Sequence, residues 1–387
     1  MYICSQKVVV FTARRWYNIR TVTRRIVMDY NDFEQRKSEY SGGTYYATPR
    51  WDDFTIQDEK RAKSRFSRFL LSIFIYTLAA NLIAIAAELV IAFALPDKAE
   101  AIFASNWYVW AINVFAMYVI ALPILYLIVR GMRSVIRAKS KLKASEFFIF
   151  IAVAEALMMV GNLVGTYLNA LIGAFLGREI TDNTAELIEN SPMWMILIVA
   201  VIIGPIVEEL IFRKLLMDKL GMYGDRIAII VSAIAFGIFH GNLYQLFYAT
   251  LLGLLLAYVY SITSNILYPI ALHIIINLLG SILPMIVLPY MDKYLELMQQ
   301  IETGAAYDQA EFERVMLIVG TYSFVQLAIA GIGLFFLFRR RRKIFVSDRC
   351  EILIPKQKRA SVILGNVGAI LFMVLTALMM VVNIIAV

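Results

Sequence analysis

The chain alternates between long apolar runs and short stretches of polar residues. Nine apolar runs reach or approach the length of about 20 residues that a helix needs to cross a hydrocarbon core of about 30 Å. Because backbone groups inside a bilayer must be bonded internally, such runs favour helices. We therefore predict an all-α fold, a polytopic transmembrane helical bundle with about nine spans: 69–94, 107–129, 147–172, 193–213, 227–242, 245–263, 266–289, 315–338 and 362–386.

The polar stretches between these spans alternate in charge. Segments 130–143, 213–226 and 339–359 are basic, whereas 178–190 and 291–313 are acidic. Loops rich in Lys and Arg stay in the cytoplasm. With nine spans, this alternation places the N-terminus in the cytoplasm and the C-terminus outside. We expect an integral, multi-pass protein of the cell (plasma) membrane.

The same pattern divides the chain into three regions. Residues 1–65 form a polar cytoplasmic segment, 66–290 a membrane core, and 291–387 an outer loop, two further spans and a basic cytoplasmic loop. Residues 1–27 contain five arginines and no acidic residue. We interpret them as an over-extended gene start with Met28 as the initiator; an organellar presequence is the alternative.

Composition supports a membrane protein and narrows its partners. Hydrophobic residues make up 60% of the chain and charged residues 17%, with a mean hydropathy of +0.71, whereas soluble domains are about one-quarter charged. The net charge of +8 lies in loops without a recognised nucleic-acid module. We therefore expect the lipid bilayer, and no nucleic acid, as a partner. Cys4 and Cys350 lie in basic segments assigned to the cytoplasm, so no structural disulfide is expected.

A few polar side chains interrupt the apolar runs. Glu208 and Glu209 are adjacent in the fourth span, and the chain's only two histidines, His240 and His273, also lie in apolar segments. Asn277 follows His273 by one helical turn, on the same face. An ionisable group in the hydrocarbon costs roughly 3 kcal/mol at mid-depth. The presence of all these polar side chains within 70 residues indicates a functional site.

Helical spacing predicts different roles for the two glutamates. Glu209 and Arg213 are four residues apart and can form an ion pair. Adjacent residues point about 100° apart, so we expect that Glu208 and Glu209 do not share a partner. Glu208 then remains available for chemistry. Pro205 removes one helical hydrogen bond beside this site.

These residue types suit the hydrolysis of a peptide bond. A carboxylate beside imidazoles can deprotonate water as a general base, and an Asn side chain can donate to an oxyanion. Two imidazoles and a carboxylate are also a zinc ligand set. A single His in a helix is more often a core residue, and a Glu pair is often a solvated helix end. The coincidence of all these groups favours the hydrolytic site.

The sequence places Glu208 and His240 at different depths in the membrane. Measured from the basic turn 213–226 at 1.5 Å per residue, Glu208 lies about 8 Å deep and His240 about 20 Å deep. We expect either an irregular start of the fifth span, around the sequence GMYGDR, or strongly tilted helices. In both cases we expect the side chains of Glu208, His240, His273 and Asn277 to converge.

In residues 145–290 the chain resembles the type II CAAX prenyl endopeptidase and bacteriocin-processing family, also called the Abi family. The resemblance consists of three motifs in order: EExxxR at Glu208, Glu209 and Arg213, FxxxH at Phe236 and His240, and HxxxN at His273 and Asn277. It implies a helical bundle around a cavity open to the cytosol. It implies that Glu208 activates water, that His240 and His273 assist, and that Asn277 stabilises the oxyanion. Glu209, Arg213 and Phe236 would be structural.

The resemblance leaves a divalent metal such as zinc open, with Glu208, His240 and His273 as its potential ligands. It predicts a CAAX-protease-like intramembrane endopeptidase, or metalloendopeptidase, that cuts a membrane-anchored or lipidated peptide. The alternative is a non-catalytic membrane scaffold or immunity protein with the same fold, and a transporter is a further, less supported class. Oligomeric state does not follow from the sequence.

Overall fold

A computed structural model describes residues 53–385, apart from 136, 341–345 and 347–349. The predictions for residues 1–27 and for the start of the N-terminal segment lie outside these residues. Twelve helices are present in the described part: α1 Ile56–Ala94, α2 Pro96–Phe103, α3 Asn106–Val129, α4 Ala144–Leu176, α5 Asn183–Glu189, α6 Met193–Tyr223, α7 Asp225–Phe239, α8 Leu243–Thr263, α9 Leu267–Glu302, α10 Gln309–Arg340, α11 Lys356–Ile363 and α12 Val367–Ile385.

The predicted all-α polytopic bundle is confirmed. Eight of these helices are long and apolar enough to cross a membrane: α1, α3, α4, α6, α8, α9, α10 and α12. Large apolar side chains point away from the protein, and Phe93 and Phe175 are 92% and 90% exposed. Such surfaces require an apolar solvent. The protein is therefore an integral, multi-pass membrane protein.

Of the nine predicted spans, eight are helices of membrane length, and the ninth, 227–242, is the short helix α7. Its 15 residues extend about 22 Å, less than a hydrocarbon core of about 30 Å. Its two ends nevertheless contact loops at opposite ends of α4. Asp225 pairs with Arg137 before α4, and Asn242, just after α7, donates to Asp182 beyond α4 at 3.1 Å. α7 thus extends between the loops at the two ends of α4.

Helix α1 begins at Ile56, well before the apolar run at 69. Thr55 accepts a hydrogen bond from the backbone N–H of Asp58, and the Asp58 side chain bonds back to the N–H of Thr55. This capping box starts a helix at a polar sequence. Hydropathy alone locates the apolar part of a helix, so the polar first turns of α1 were missed.

Helices α3, α6 and α9 each contain π-helical turns, at Phe115–Ala121 in α3, at Leu197–Ile203 and Leu210–Met217 in α6, and at Leu278–Ile282 in α9. π-helical turns are rare and frequently occur at functional sites. In α6 they lie on both sides of Gly204–Glu209, the turn that carries the two glutamates.

The irregular segment expected around GMYGDR is present where α6 ends and α7 begins. Gly221–Tyr223 is a 3₁₀ turn, and Gly224 has a φ of 113°, a conformation that favours glycine. In addition, α6 continues past Arg213 through a buried Asp218 and Lys219. The predicted end of this span at residue 213 was therefore too early, because its last turns are polar in sequence although buried in the fold.

This extension removes most of the predicted difference in depth. From Leu220, the last α-helical residue of α6, Glu208 lies about 18 Å along the helix. From Asp225, at the start of α7, His240 lies about 22 Å along its own helix. The two residues therefore reach similar levels.

Candidate active site

Glu209 and Arg213 form an ion pair inside α6. Arg213 Nε lies 3.0 Å from Glu209 Oε2, and both side chains are 0% exposed. Because removing a charge from water costs several kcal/mol, two buried charges of opposite sign are stable only together. The ion pair expected from the spacing of four residues is present, and it fixes the Glu209 carboxylate in one orientation.

The imidazole of His273 lies between the two glutamates. Its Nδ1 is 3.0 Å from Glu209 Oε1, and its Nε2 is 3.7 Å from Glu208 Oε2. The expectation that Glu208 and Glu209 do not share a partner is therefore wrong. Helical rotation does separate the two side chains, but they reach opposite nitrogens of one ring. The glutamates differ in burial instead, since the Glu208 side chain is 23% exposed and that of Glu209 is not exposed.

This contact defines the proton arrangement on His273. A carboxylate that is paired with Arg213 accepts hydrogen bonds, so Nδ1 donates to Glu209. Nε2 is then the nitrogen that faces Glu208. A carboxylate that orients a histidine through Nδ1–H is the arrangement by which catalytic histidines are held in one tautomer.

His240 is held at the end of α7. Its Nδ1 lies 2.8 Å from the carbonyl oxygen of Phe236, one turn earlier. A carbonyl can only accept, so Nδ1 donates and Nε2 keeps a free lone pair. Glu208 is within electrostatic range of His240. The second histidine therefore lies in the neighbourhood of this carboxylate, while its ring is held by Phe236 O.

The ring of Phe236 connects the members of this site. Its centroid is 5.0 Å from the His240 ring and 5.6 Å from the His273 ring, with both pairs edge to face. The Arg213 guanidinium lies 4.8 Å from the same centroid. Edge-to-face and cation–π contacts each contribute about 1 kcal/mol. Phe236 therefore packs as the structural residue that the FxxxH motif implied.

Asn277 contacts a carbonyl that Pro205 leaves without a helical partner. The N–H of Gly204 bonds to Val199 O, and the next residue is Pro205, which has no N–H. Ala200 O is thereby released, and it accepts a hydrogen bond from Asn277 Nδ2 at 2.9 Å. The predicted loss of a hydrogen bond at Pro205 thus has a structural consequence, because it joins α9 to α6. The second Nδ2–H of Asn277 remains for another acceptor.

Together, α6, α7 and α9 place Glu208, Glu209, Arg213, Phe236, His240 and His273 in one connected cluster. Asn277 lies one turn further along α9 and contacts α6 rather than these side chains. The arrangement offers a partly accessible carboxylate, the free Nε2 of two imidazoles and one amide donor. These groups can take a proton from water and donate hydrogen bonds to a developing charge.

The three potential zinc ligands do not form a metal site. Among the described residues, no group of three or more His, Cys, Asp or Glu side chains could hold a metal ion. No step of the reaction proposed below is therefore assigned to a metal.

Sequence reasoning missed two kinds of residue near the site. Ser232 accepts from Arg213 Nη1 at 3.3 Å and donates to Phe212 O at 2.9 Å. The sequence does contain a pattern that could have identified Ser232, because it lies four residues before Phe236 and therefore on the same face of α7. Three tyrosines, Tyr76, Tyr118 and Tyr248, are within electrostatic range of Glu208. With 21 tyrosines in the chain, nothing in the sequence distinguishes these three.

Comparison with known proteins agrees with the three motifs. Residues 190–279 match the family described as "Type II CAAX prenyl endopeptidase Rce1-like". The chain is also similar to "Putative membrane peptidase YdiL" of Bacillus subtilis (strain 168), with 35% identity over 106 residues, which cover 26% of this chain and 42% of that protein. The chain thus spans less than half the length of this curated relative. No solved structure matches the chain. The resemblance seen in the motifs is confirmed, and both comparisons point to membrane peptidases.

Proposed function

We propose, from the confirmed resemblance of residues 190–279 to the type II CAAX prenyl endopeptidases, that this chain is an intramembrane endopeptidase. One observation carries the proposal. Within the matched residues, a partly exposed carboxylate, Glu208, faces the imidazole of a histidine whose other nitrogen is held by a buried carboxylate–guanidinium pair. A purely structural ion pair does not need the additional, partly exposed Glu208.

Glu208 is the general base in this proposal. It takes a proton from a water molecule, and the hydroxide oxygen forms a bond to the carbonyl carbon of the peptide. The carbonyl π electrons move to oxygen and give a tetrahedral oxyanion. When this intermediate collapses, the C–N bond breaks and the protonated Glu208 returns the proton to the leaving nitrogen. No other reactant is required.

The remaining residues hold and stabilise this reaction. Asn277 donates its second Nδ2–H to the oxyanion while its first stays on Ala200 O. His240 and His273 present Nε2 to the site, since Nδ1 of each ring is engaged. An Nε2 lone pair can accept a hydrogen bond from Glu208 while that carboxyl group holds the proton of the water. Glu209 and Arg213 act through His273 by fixing its orientation. They are positioning residues.

The proposed substrate is a membrane-anchored or lipidated peptide. Glu208 lies in α6, a helix that is long and apolar enough to span the membrane, so the scissile bond must reach it at membrane depth. A peptide attached to a lipid or to a transmembrane helix is already at this level. The family and the relative that match this chain are described as a prenyl endopeptidase and a membrane peptidase.

The test begins with finding a substrate. Cells that produce the full chain are compared with cells that produce the Glu208→Gln variant, by mass spectrometry of new peptide termini in membrane proteins. Glu88→Gln serves as the matched control, because Glu88 is a carboxyl on the exposed surface of another spanning helix, α1. We expect the same new termini with the wild type and with Glu88→Gln, and none with Glu208→Gln.

The identified peptide is then given to the purified proteins. Loss of a general base lowers turnover by about 10²–10⁴-fold, so Glu208→Gln should be reduced by at least about 100-fold at unchanged thermal stability. Undiminished turnover by this variant would refute the role of Glu208. If no terminus depends on the wild-type chain, the endopeptidase proposal itself fails.

A further inference from the structure

Gly204 forms one side of a small space beside the Glu208 carboxylate. A methyl group added at Gly204 would lie 4.0 Å from Glu208 Oε1 and 3.6 Å from the Tyr118 hydroxyl. Glycine therefore keeps open a space that both oxygen atoms border. Tyr118 belongs to α3, which lies outside the residues that match the peptidase family, so no family motif includes it.

The Tyr118 hydroxyl has no hydrogen-bond partner among the residues that the structure describes, and it is not one of their fully enclosed polar atoms. Tyrosine hydroxyls in a protein interior usually find a partner. An accessible, unbonded hydroxyl that borders a carboxylate is suited to a small polar molecule. Tyr118 also lies within a π-helical turn, Phe115–Ala121, which alters the helical register of the side chains that follow.

The surroundings of this space favour a single water molecule rather than bulk solvent. Tyr76, which is 1% exposed, packs against Phe239 with ring centroids 5.6 Å apart. Both Tyr76 and Tyr118 are within electrostatic range of Glu208. Two tyrosines thus lie near the carboxylate, and one of them is almost fully buried, so the protein limits the solvent around it.

We propose that Tyr118 is a further catalytic residue, which binds the attacking water together with Glu208 in the space beside Gly204. This rests on the proposed function, in that the water is taken to be the nucleophile of peptide hydrolysis. Glu208 accepts one hydrogen of the water and the Tyr118 oxygen accepts the other. The water then directs a lone pair at the substrate carbonyl. During attack, the first proton moves to Glu208. The other O–H bond of the water, which points at the Tyr118 oxygen, stays intact.

The first experiment measures turnover of the peptide found by the comparison of termini above. Tyr118→Phe removes the hydroxyl and keeps the ring, and we expect a fall in kcat of about 10-fold, the value of one hydrogen bond between neutral groups, with KM within about 2-fold because the water, not the peptide, loses its contact. Tyr126→Phe is the matched control, since Tyr126 is 52% exposed and also lies in α3. If Tyr118→Phe keeps the wild-type kcat, the role of Tyr118 is refuted. If turnover is then lost only in Glu208→Gln, the proposed endopeptidase function still holds.

Gly204→Ala tests the space itself. The added methyl group would narrow the space in which the water is placed, so kcat should fall by about 100-fold or more, the size of a general-base contribution. Alanine favours helix over glycine, which offsets strain from the approach of the methyl group to Val199 O at 3.2 Å. Tm is therefore measured together with kcat, so that an effect on folding is separated from an effect on the water. Gly320→Ala is the control, because nothing lies within 4 Å of the added methyl group there. Turnover by Gly204→Ala equal to that of Gly320→Ala contradicts a water at this place.

A second measurement does not need a substrate. Infrared difference spectra of the full chain in lipid nanodiscs assign the Glu208 carboxyl band by its absence in Glu208→Gln. A shared water couples this band to Tyr118, so Tyr118→Phe should shift it and Tyr126→Phe should not. An unshifted band in Tyr118→Phe overturns the proposal, even if the chain cleaves peptides. A shifted band without any cleavage supports the shared water and counts against the endopeptidase function alone.

Discussion

At the scale of single residues, the site depends on charges that are buried in pairs. Arg213 contacts Glu209, Ser232 and the ring of Phe236 without any exposed side-chain surface. Through Glu209, the same pair orients His273. Stability and orientation are thus coupled at one guanidinium group.

Arg213→Met is expected to destabilise the protein strongly. It leaves the Glu209 carboxylate buried without its partner, and breaking a buried pair in this way costs about 3–5 kcal/mol. Thermal unfolding of the purified protein should show a clearly lower Tm. The double variant Glu209→Gln with Arg213→Met removes both charges and should recover part of the loss. An unchanged Tm for Arg213→Met would show that the pair does not stabilise the fold.

At the scale of elements, close contacts between helices position the site. Gly161 of α4 lies against the backbone of Tyr248 in α8, and Gly165 lies against the carbonyl of Tyr244, 2.6 Å from where a Cβ atom would be. Glycines four residues apart allow a close helix crossing, and the crossing is present. α8 follows directly after the turn that carries His240, so this crossing also supports the site.

Gly165→Val should separate α4 from α8. The added side chain would overlap the Tyr244 carbonyl, and overpacking of this kind typically costs about 1–3 kcal/mol. Gly320→Val is the matched control in a spanning helix, because the space beside Gly320 is open. The measurement is Tm in the same detergent. Equal Tm values for the two variants would mean that the crossing can relax without cost.

The last helix, α12, holds the turn after His240. Asn383 Nδ2 donates to Gly241 O at 2.8 Å, and Gly241 has a φ of 59°, with Met379 in contact beside it. The role of this helix was not predicted from the sequence. The structure makes it a support for the orientation of His240.

Asn383→Leu should therefore lower turnover of the identified peptide. Without its hydrogen bond the turn is less fixed, and we expect a fall in kcat of about 10-fold, corresponding to one hydrogen bond. Thr376→Val is the control in the same helix, because the Thr376 hydroxyl bonds only to carbonyls of its own helix. If both variants keep wild-type kcat, α12 does not act on His240.

At the scale of the whole molecule, the alternation of charge predicts which loops lie in the cytoplasm. Lys141 precedes α4 in a basic loop, and Ala305 lies between α9 and α10 in an acidic one. α7 passes between the two ends of the bundle, as judged from its contacts with loops at opposite ends of α4. With this short helix counted as a crossing, the two loops lie on opposite sides of the membrane.

Cysteine labelling tests this topology. In a chain whose Cys4 and Cys350 are replaced by serine, Ala305→Cys should react with a membrane-impermeant maleimide on intact cells. Lys141→Cys should react only after the cells are permeabilised. Both positions are exposed, so burial does not limit the reaction. Labelling of Lys141→Cys on intact cells would reverse the predicted orientation, and labelling of both would contradict the number of crossings.

The sequence by itself determined the fold class, the spanning segments and the motif residues of the site. It could do so because hydropathy and helical period depend on residue type and spacing alone. The pairing of Glu209 with Arg213 followed in the same way, since both residues lie on one helix.

Contacts between helices were decided only by the tertiary structure. They depend on crossing angle, depth and local register, which no single segment contains. For this reason three contacts were not predicted. They are the contact of both Glu208 and Glu209 with His273, the hydrogen bond from Asn277 to Ala200 O, and the approach of Tyr118 to Glu208. A π-helical turn lies at or beside each of these positions, and an ideal helical wheel does not include such turns.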